Sequence, residues 1–499
     1  MEYKIPFTLQ RQDLLNTESY VDAQWIPSYS RATFAVVADP GTDEPWARVT
    51  DNTAEDVPRA VAMAHEAFQH YRKISTRTRA QWLYRWHALI QEHKRDLATI
   101  LVYETGKPFA EAIGELDYAS SFTWWFAGEA ERVQGTAFVA SMPNRRVLTL
   151  KQPLGVAVAL VPWNFPVAMI LRKAGAALAA GCTMIVKPSP ETPLTALAIA
   201  KLATEAGFPA GVLNVLPTSL ANTPSLSEAL CRHSDVKKVT FTGSTRVGTL
   251  IASHCSPGLK KLTLELGGNC PALIFNDADI DQAISQLVSL KWRHAGQACV
   301  TVNRFIVQSG IYDTFLARFK AETAKLITGH GANENTTMGP VTTPQGVERA
   351  ERIVADAVAK GATVVLGGKR IQPNGLKGYF FEPTILTNVN EDMQTSCEEV
   401  FAPVAAFYRF ETEEQAVRMA NDTPMGLASY AFTRDVNRIW RLFENLEAGM
   451  IGLNTGNSSA AESPFGGLKM SGYGKEAGKD IAIDEYMTTK TGTLTVDGI

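Results

Sequence analysis

No stretch of this 499-residue chain approaches the roughly 18 consecutive apolar residues of a membrane span, so no membrane segment is expected. Neither sign of charge prevails. Lysine and arginine number 48 against 51 acidic residues, a formal net charge of -3, which gives nucleic acid or an anionic surface no hold. Cysteine is sparse. The six lie at 182, 231, 255, 270, 299 and 397, with no CxxC pair, and neither a zinc cluster nor a disulfide framework is legible. His65-Glu66-Ala67-Phe68-Gln69-His70 has a metalloprotease look, but i,i+5 spacing puts its histidines on different helix faces, where zinc needs i,i+4. No metal is expected. Repeats and low-complexity stretches are missing. So is a charged n-region with an apolar core at Met1-Glu2-Tyr3-Lys4-Ile5-Pro6. What remains is a globular composition, 45% hydrophobic and 20% charged, long enough for two or three domains. A reducing, cytoplasmic setting is the expectation.

Residues 1–50 read as irregular, with Pro27, Pro40, Gly41 and Pro45 breaking any long element. From Thr53 to Glu104 the spacing of Val57, Val61, Ala64 and Phe68, then of Trp82, Leu83, Trp86, Leu89 and Ile90, predicts helices. A second helical block, Ala110 to Arg132, is rich in aromatics that read as packing. Arg146 to Lys151 alternates like a strand. From Val156 the texture changes: short apolar runs (156–161, 183–186, 212–216, 238–242, 262–265) alternate with helical segments. Runs without a polar face suit strands buried on both sides, and the crossover spacing predicts a parallel, doubly wound sheet. A second alternating region follows Glu265, so the border between two sheets is expected near Gly267 and Gly268.

Three residues stand out chemically. Cys299, in Arg293-His294-Ala295-Gly296-Gln297-Ala298-Cys299, follows a predicted helical segment, Ile280 to Ala295, and sits among small neighbours. A thiol there is open to a substrate and needs a base or a low-pKa setting to react. Glu265 ends an apolar strand and precedes two glycines, a costly place for a carboxylate without a role. Asn164 carries the one side-chain amide of the turn Pro162-Trp163-Asn164-Phe165-Pro166, where it can act as an oxyanion donor or as a turn former. A nucleophile, a separate base and a dinucleotide-type sheet suggest oxidation through a thioester. Phe241-Thr242-Gly243-Ser244-Thr245-Arg246-Val247-Gly248 joins a strand to a helix, where backbone N–H groups can meet a pyrophosphate. It is no Walker A loop, because Thr249 stands where that motif has lysine. Lys187 ends another strand, at a sheet edge suited to a nucleotide ribose or phosphate or to plain solvent.

These segments, with Lys187-Pro188, Glu265-Leu266-Gly267-Gly268, Gly296-Gln297-Ala298-Cys299, Glu398-Glu399-Val400-Phe401-Ala402-Pro403 and Pro464-Phe465-Gly466-Gly467-Leu468-Lys469-Met470-Ser471-Gly472, resemble in their order the aldehyde dehydrogenase superfamily. The resemblance implies an α/β fold. A Rossmann-type cofactor domain would span 1–133 and 155–266, an α/β catalytic domain 267–480, and a β bridging and oligomerisation flap 134–154 and 481–499. It implies that Cys299 attacks an aldehyde, that Asn164 and the Cys299 N–H hold the oxyanion, and that Glu265 activates the deacylating water. Lys187 and Glu399 would hold ribose hydroxyls of NAD or NADP. Pro162, Trp163, Ser189, Gly243, Ser244 and Gly267 would line the cofactor, with Phe401 near the nicotinamide. A homodimer or homotetramer is implied as well.

Within the family the resemblance is nearest to succinate-semialdehyde dehydrogenases. Met169-Ile170-Leu171-Arg172-Lys173-Ala174-Gly175 and Lys291-Trp292-Arg293 look like the segments whose arginines bind a small semialdehyde's carboxylate, and Ser459 falls at the matching serine. Glutarate or 2-oxoglutarate semialdehyde is the rival substrate, transfer to coenzyme A the rival ending, and a silent scaffold the rival from another class. His294 stands where the family usually has asparagine, and Thr301 where many members have a second cysteine. Pro190 stands where NAD-preferring members carry glutamate, with Glu191 one residue on, which predicts that NADP is accepted at least as well as NAD.

Overall fold

Strands without a polar face make the centre of the fold. Val156–Leu160 and Thr183–Lys187 are buried at every residue and lie side by side in register, parallel, as runs buried on both faces should. The computed structural model describes residues 4–497. Its first sheet has eight strands in the order Gln24–Ile26, Ser19–Val21, Leu213–Val215, Thr183–Lys187, Val156–Leu160, Val236–Thr242, Lys261–Glu265, Gly472–Tyr473. The five central strands are parallel, and the edges are antiparallel. Crossover helices Pro166–Ala180 and Pro193–Ala206 each begin with proline, whose missing N–H costs nothing in a first turn, and end on a left-handed glycine, Gly181 or Gly207.

The chain leaves this sheet after Glu265 and enters a second one at Cys270–Ile274. The second sheet has the order Thr363–Leu366, Thr384–Thr387, Val404–Phe410, Val302–Gln308, Cys270–Ile274, Ala428–Phe432, Met450–Leu453, all parallel except the first pair. Only four residues separate the sheets at this crossing, so the last residue of one is close to the first of the other. A third, antiparallel sheet joins Ala137–Val139, Arg145–Pro153 and Met487–Thr495. It exposes Phe138, Leu148, Leu150 and Leu494.

The first fifty residues are not irregular. Ser19–Val21 pairs with Gln24–Ile26, and Thr33–Asp39 pairs with Glu44–Thr50. The prolines that argued against strands sit where strands tolerate them. Pro40 lies in the connecting turn, and Pro45 faces Ala38 in a two-stranded ribbon whose outer edges need no ladder donor. Helices Thr223–Arg232, Glu413–Asn421 and Val436–Asn445 escaped the sequence reading. The last two bury only Ala416 and Ala420, and Leu442, although in Val436–Asn445 the exposed Val436, Trp440 and Phe443 recur at helix spacing. Among the described residues no helix is long and apolar enough to cross a membrane.

Candidate active site

Helix Ile280–Trp292 stops three residues short of the predicted end. His294 and Ala295 then take left-handed backbone (φ 50 and 52), followed by Gly296 at φ 75. Two such residues with side chains store about 1–2 kcal/mol each, so the turn must be held from outside. The His294 N–H donates to Glu111 at 2.8 Å, and Gln297 Nε2 donates back to the His294 carbonyl at 2.9 Å. Asn164 Nδ2 donates to the Gln297 carbonyl at 3.0 Å. Beyond the thiol, Tyr430 donates to the Val300 carbonyl at 2.9 Å, and the Cys270 thiol donates to the Cys299 carbonyl at 3.4 Å. Cys270, distant in sequence, thus lies directly behind the nucleophile turn. Gly268 lets the two segments approach, because a Cβ there would sit 2.7 Å from the Cys299 carbonyl oxygen.

The Cys299 side chain is partly exposed on a cavity and faces Glu265. Neither Glu265 oxygen has a hydrogen-bond partner, although the residue is buried. Burial pushes its pKa up, and Arg172, whose Nη2 is 3.5 Å from Oε2, pulls it partway back. The thiol is pushed well above its ordinary value by burial and by the Glu265 charge. The resting pair is therefore a thiol beside an unsolvated carboxylate with raised proton affinity. Behind Glu265 a buried charge cluster continues. Arg172 Nε donates to Glu476 at 2.9 Å, Lys173 Nζ donates to Glu476 and to Thr242 Oγ1 at 2.6 Å each, and Thr240 Oγ1 donates to Glu476 at 2.9 Å. Burial alone would raise the Glu476 pKa; Lys173 and Arg172 outweigh that and hold it low. Sequence reasoning missed Glu476 and Lys173, since nothing in their local spacing shows that they meet.

The cavity has a volume of about 480 Å³, and Cys299, Arg172, Arg293, Glu111, Tyr118 and Ser459 all open on it. Arg172 does not lie on a helix surface as a charged residue there would. It is 1% exposed, stacks over Phe465 at 3.8 Å and turns one edge to Glu476 and Glu265. Arg293 is exposed, its guanidinium 5.3 Å from the Phe165 ring, and among the described residues it makes no ion pair. Ser459 shares a hydrogen bond with the Tyr118 hydroxyl. Glu111 is raised to about 7 by burial, against the pull of Lys107 and Arg293. A second cavity, of about 430 Å³, is lined by Arg304 and Tyr408. Its one thiol, Cys397, donates to the Glu391 backbone carbonyl, and the Arg304 guanidinium is taken up by three backbone carbonyls.

The remaining predicted residues lie outside the lining of the Cys299 cavity. Lys187 is buried, its ammonium lowered to about 8 by desolvation with only Glu191 opposing. Glu191 accepts a hydrogen bond from Ser189, and its charge is felt at the Lys187 ammonium. Glu399 accepts from the Gly268 N–H at 3.2 Å and is raised to about 7 by burial; a Cβ on Gly267 would sit 2.8 Å from its oxygen. Phe401 takes φ 47 and packs edge-on to Trp163, centroids 5.6 Å apart, beside the Pro162 turn. Ser244 caps helix Thr245–Cys255 by accepting from the Val247 N–H. The Gly243 N–H is engaged by the Glu265 carbonyl at 3.1 Å, so it is not among the amides left for a phosphate. A desolvated ammonium and a desolvated carboxylate can each serve the hydroxyls of a ribose, which accept from one and donate to the other.

The profile of the aldehyde dehydrogenase family matches residues 25–492. The mitochondrial succinate-semialdehyde dehydrogenase of Homo sapiens is 46% identical over 96% of this chain and 88% of its own. The NADP(+) succinate-semialdehyde dehydrogenase 1 of Schizosaccharomyces pombe is 46% identical over 95% of this chain and 94% of its own. The crystal structure of succinate-semialdehyde dehydrogenase from Burkholderia pseudomallei superposes with a TM-score of 0.95 at 44% identity, covering 98% of this chain and 100% of that one.

The electrostatics of the pair predict an unusual response to alkylation. The thiolate is the reactive form, and the Glu265 charge opposes it. Alkylation of Cys299 by iodoacetamide should be slow near neutrality and climb with pH, and Glu265→Gln should accelerate it at pH 7 by roughly tenfold. Slower alkylation of that variant would mean that Glu265 activates the resting thiol instead of restraining it. Peptide mapping of the labelled cysteine, with time courses at several pH values, reads both outcomes.

Proposed function

The chain belongs to the aldehyde dehydrogenase family, and we propose that it oxidises a short aldehyde bearing a carboxylate, succinic semialdehyde foremost, with NAD or NADP. One observation carries this reading. The Cys299 thiol opens on a cavity with the buried Glu265 carboxylate beside it, and the same cavity presents Arg293, which makes no ion pair among the described residues. The thiol–carboxylate pair fits covalent oxidation, and the arginine fits a substrate with a negative tail.

The roles follow from the geometry. Cys299 loses its proton to solvent, and the thiolate attacks the aldehyde carbon, with Glu265 kept for the later water. One Asn164 N–H is held by the Gln297 carbonyl, leaving the other, with the Cys299 N–H, for the oxygen that becomes negative. A bound nicotinamide cofactor would supply the hydride acceptor for the oxidation; Lys187 and Glu399 would hold its ribose, with Trp163 and Phe401 beside it. The thioester on Cys299 is then hydrolysed by water that Glu265 deprotonates. A base within reach of the thioester supports water over coenzyme A as the acyl acceptor, and the intact thiol, base and amide argue against a silent scaffold.

The two arginines divide the work. Arg293 is free to pair with the substrate carboxylate. Arg172 offers the cavity one end of its fork while the other end neutralises Glu476 and Glu265. Ser459 and Tyr118 add neutral donors. Glutarate and 2-oxoglutarate semialdehydes would use the same cation with a longer chain. On the cofactor side, the Glu191 carboxylate, bonded to Ser189 and acting on the charge of Lys187, supports a weaker welcome for the 2′-phosphate of NADP than Pro190 alone suggested.

We read the sheets as the units already described: a cofactor domain over 1–133 and 155–266, a catalytic domain over 267–480, and a flap over 134–154 and 481–499. The exposed apolar residues of the flap support a homodimer or homotetramer built through it. Six free cysteines suit a reducing compartment such as the cytoplasm; the human relative's name places that protein in mitochondria.

Steady-state kinetics with succinic semialdehyde and butanal test the substrate reading. Arg293→Ala should cost on the order of 2–5 kcal/mol, roughly thirtyfold to several-thousandfold in kcat/KM, for succinic semialdehyde and little for butanal. Arg172→Ala should depress both, because it also removes the cation beside Glu265. Equal losses on both substrates from Arg293→Ala would sink the carboxylate assignment. For the cofactor, Glu191→Gln should raise the NADP to NAD ratio of kcat/KM by about tenfold or more, since a like charge near a phosphate is removed. An unchanged ratio would place the 2′-phosphate elsewhere.

A further inference from the structure

Between helix Lys94–Thr105 and helix Phe109–Ala130 lies Gly106-Lys107-Pro108, a stretch outside the reacting groups. Lys107 is 1% exposed, and its ammonium has three neighbours. It donates to the Asn164 backbone carbonyl at 2.8 Å, pairs with Glu115, and lies 4.2 Å from the centre of the Phe165 ring. Glu115, also buried, accepts from the N–H groups of Val167 and Ala168 at 3.0 and 3.3 Å. Those are free donors of the helix that begins at Pro166, where a carboxylate is well placed. One helical turn before Glu115, Glu111 accepts from His294 in the nucleophile turn. One face of the Phe109 helix thus grips both the turn carrying Asn164 and the turn carrying Cys299.

The grip is needed because Asn164 is otherwise poorly held. Its Nδ2 has one partner, the Gln297 carbonyl, and its Oδ1 has none. Burying an ammonium and a carboxylate together is rarely favourable for stability alone. We propose that Lys107 and Glu115 form a positioning pair that fixes the Asn164 turn, so that its amide meets the oxygen of a substrate bound to Cys299. The inference rests on the roles of Asn164 and Cys299 proposed above. Neither Lys107 nor Glu115 touches the reacting atoms; each acts through the turn.

A double-mutant cycle on the full chain tests it. Two probes are used: succinic semialdehyde with NAD, and 4-nitrophenyl acetate without cofactor, whose attack by Cys299 puts an oxyanion in the same place. Lys107→Met should lower kcat on the order of a hundredfold with both probes. The KM for the aldehyde and the Kd for NAD should stay within about threefold. Asn164→Ala should lose a similar amount, and the double variant should be no slower than Asn164→Ala within about threefold. Lys107→Arg, which keeps a buried donor and charge, should recover a large part of the rate. If Lys107→Met does not fold, Glu115→Gln enters the same cycle with the same expected non-additivity. Multiplicative losses, or an unchanged kcat in Lys107→Met or Glu115→Gln, would overturn the positioning role. Full activity in Asn164→Ala on both probes would instead overturn the oxyanion reading, and this inference with it.

Discussion

Glu265 is a carboxylate without a hydrogen bond, sealed from solvent beside a thiol. Leaving a buried ionised group without hydrogen bonds costs several kcal/mol, and much of the surrounding structure answers that constraint. Arg172 approaches to 3.5 Å but does not form a tight pair, which would hold the carboxylate too firmly to accept a proton. Glu476 then neutralises Arg172, and Lys173 with Thr240 satisfies Glu476. The result is a base with raised proton affinity in a setting that is close to neutral as a whole. Such tuning is what general-base work near neutral pH requires.

The placement of that base depends on the topology. Glu265 ends the last parallel strand of the first sheet, and the second sheet begins five residues later at Cys270, whose thiol touches the back of the nucleophile turn. The crossing is short because Gly267 and Gly268 leave room for the Glu399 side chain and the Cys299 carbonyl. Base and nucleophile therefore come from different sheets and meet where those sheets abut. The left-handed turn at His294 and Ala295 aims the thiol, and its strain is borne by hydrogen bonds from Glu111, Asn164 and Gln297.

Much of this was legible in the chain. The parallel core showed itself in runs such as Val156–Leu160, whose lack of polar residues admits few other structures. Cys299, Glu265 and Asn164 stood out because each is a reactive type among small or apolar neighbours. The early hairpins were hidden by prolines that occupy turns and free edges. The partners of Arg172 were hidden too. Glu476 is 304 residues away, and no local pattern relates the two. Glu111 and Glu115 lie in the predicted helical block and Lys107 just before it, but no spacing showed that they would meet the turns of Asn164 and Cys299. Glu191 shows the limit at finer scale: its position was clear, but its bond to Ser189 was not.

The central claim, that Glu265 serves the release of the acyl group from Cys299, is tested most directly by rapid mixing. Glu265→Gln is combined with NAD and succinic semialdehyde, and reduced cofactor is followed through the first turnover. The account predicts a burst close to one equivalent per active site, followed by a steady rate slowed on the order of a hundredfold or more, with an acyl group trapped on Cys299 in the quenched protein. No burst and no trapped acyl-enzyme, or a steady rate equal to that of the unsubstituted protein, would contradict it.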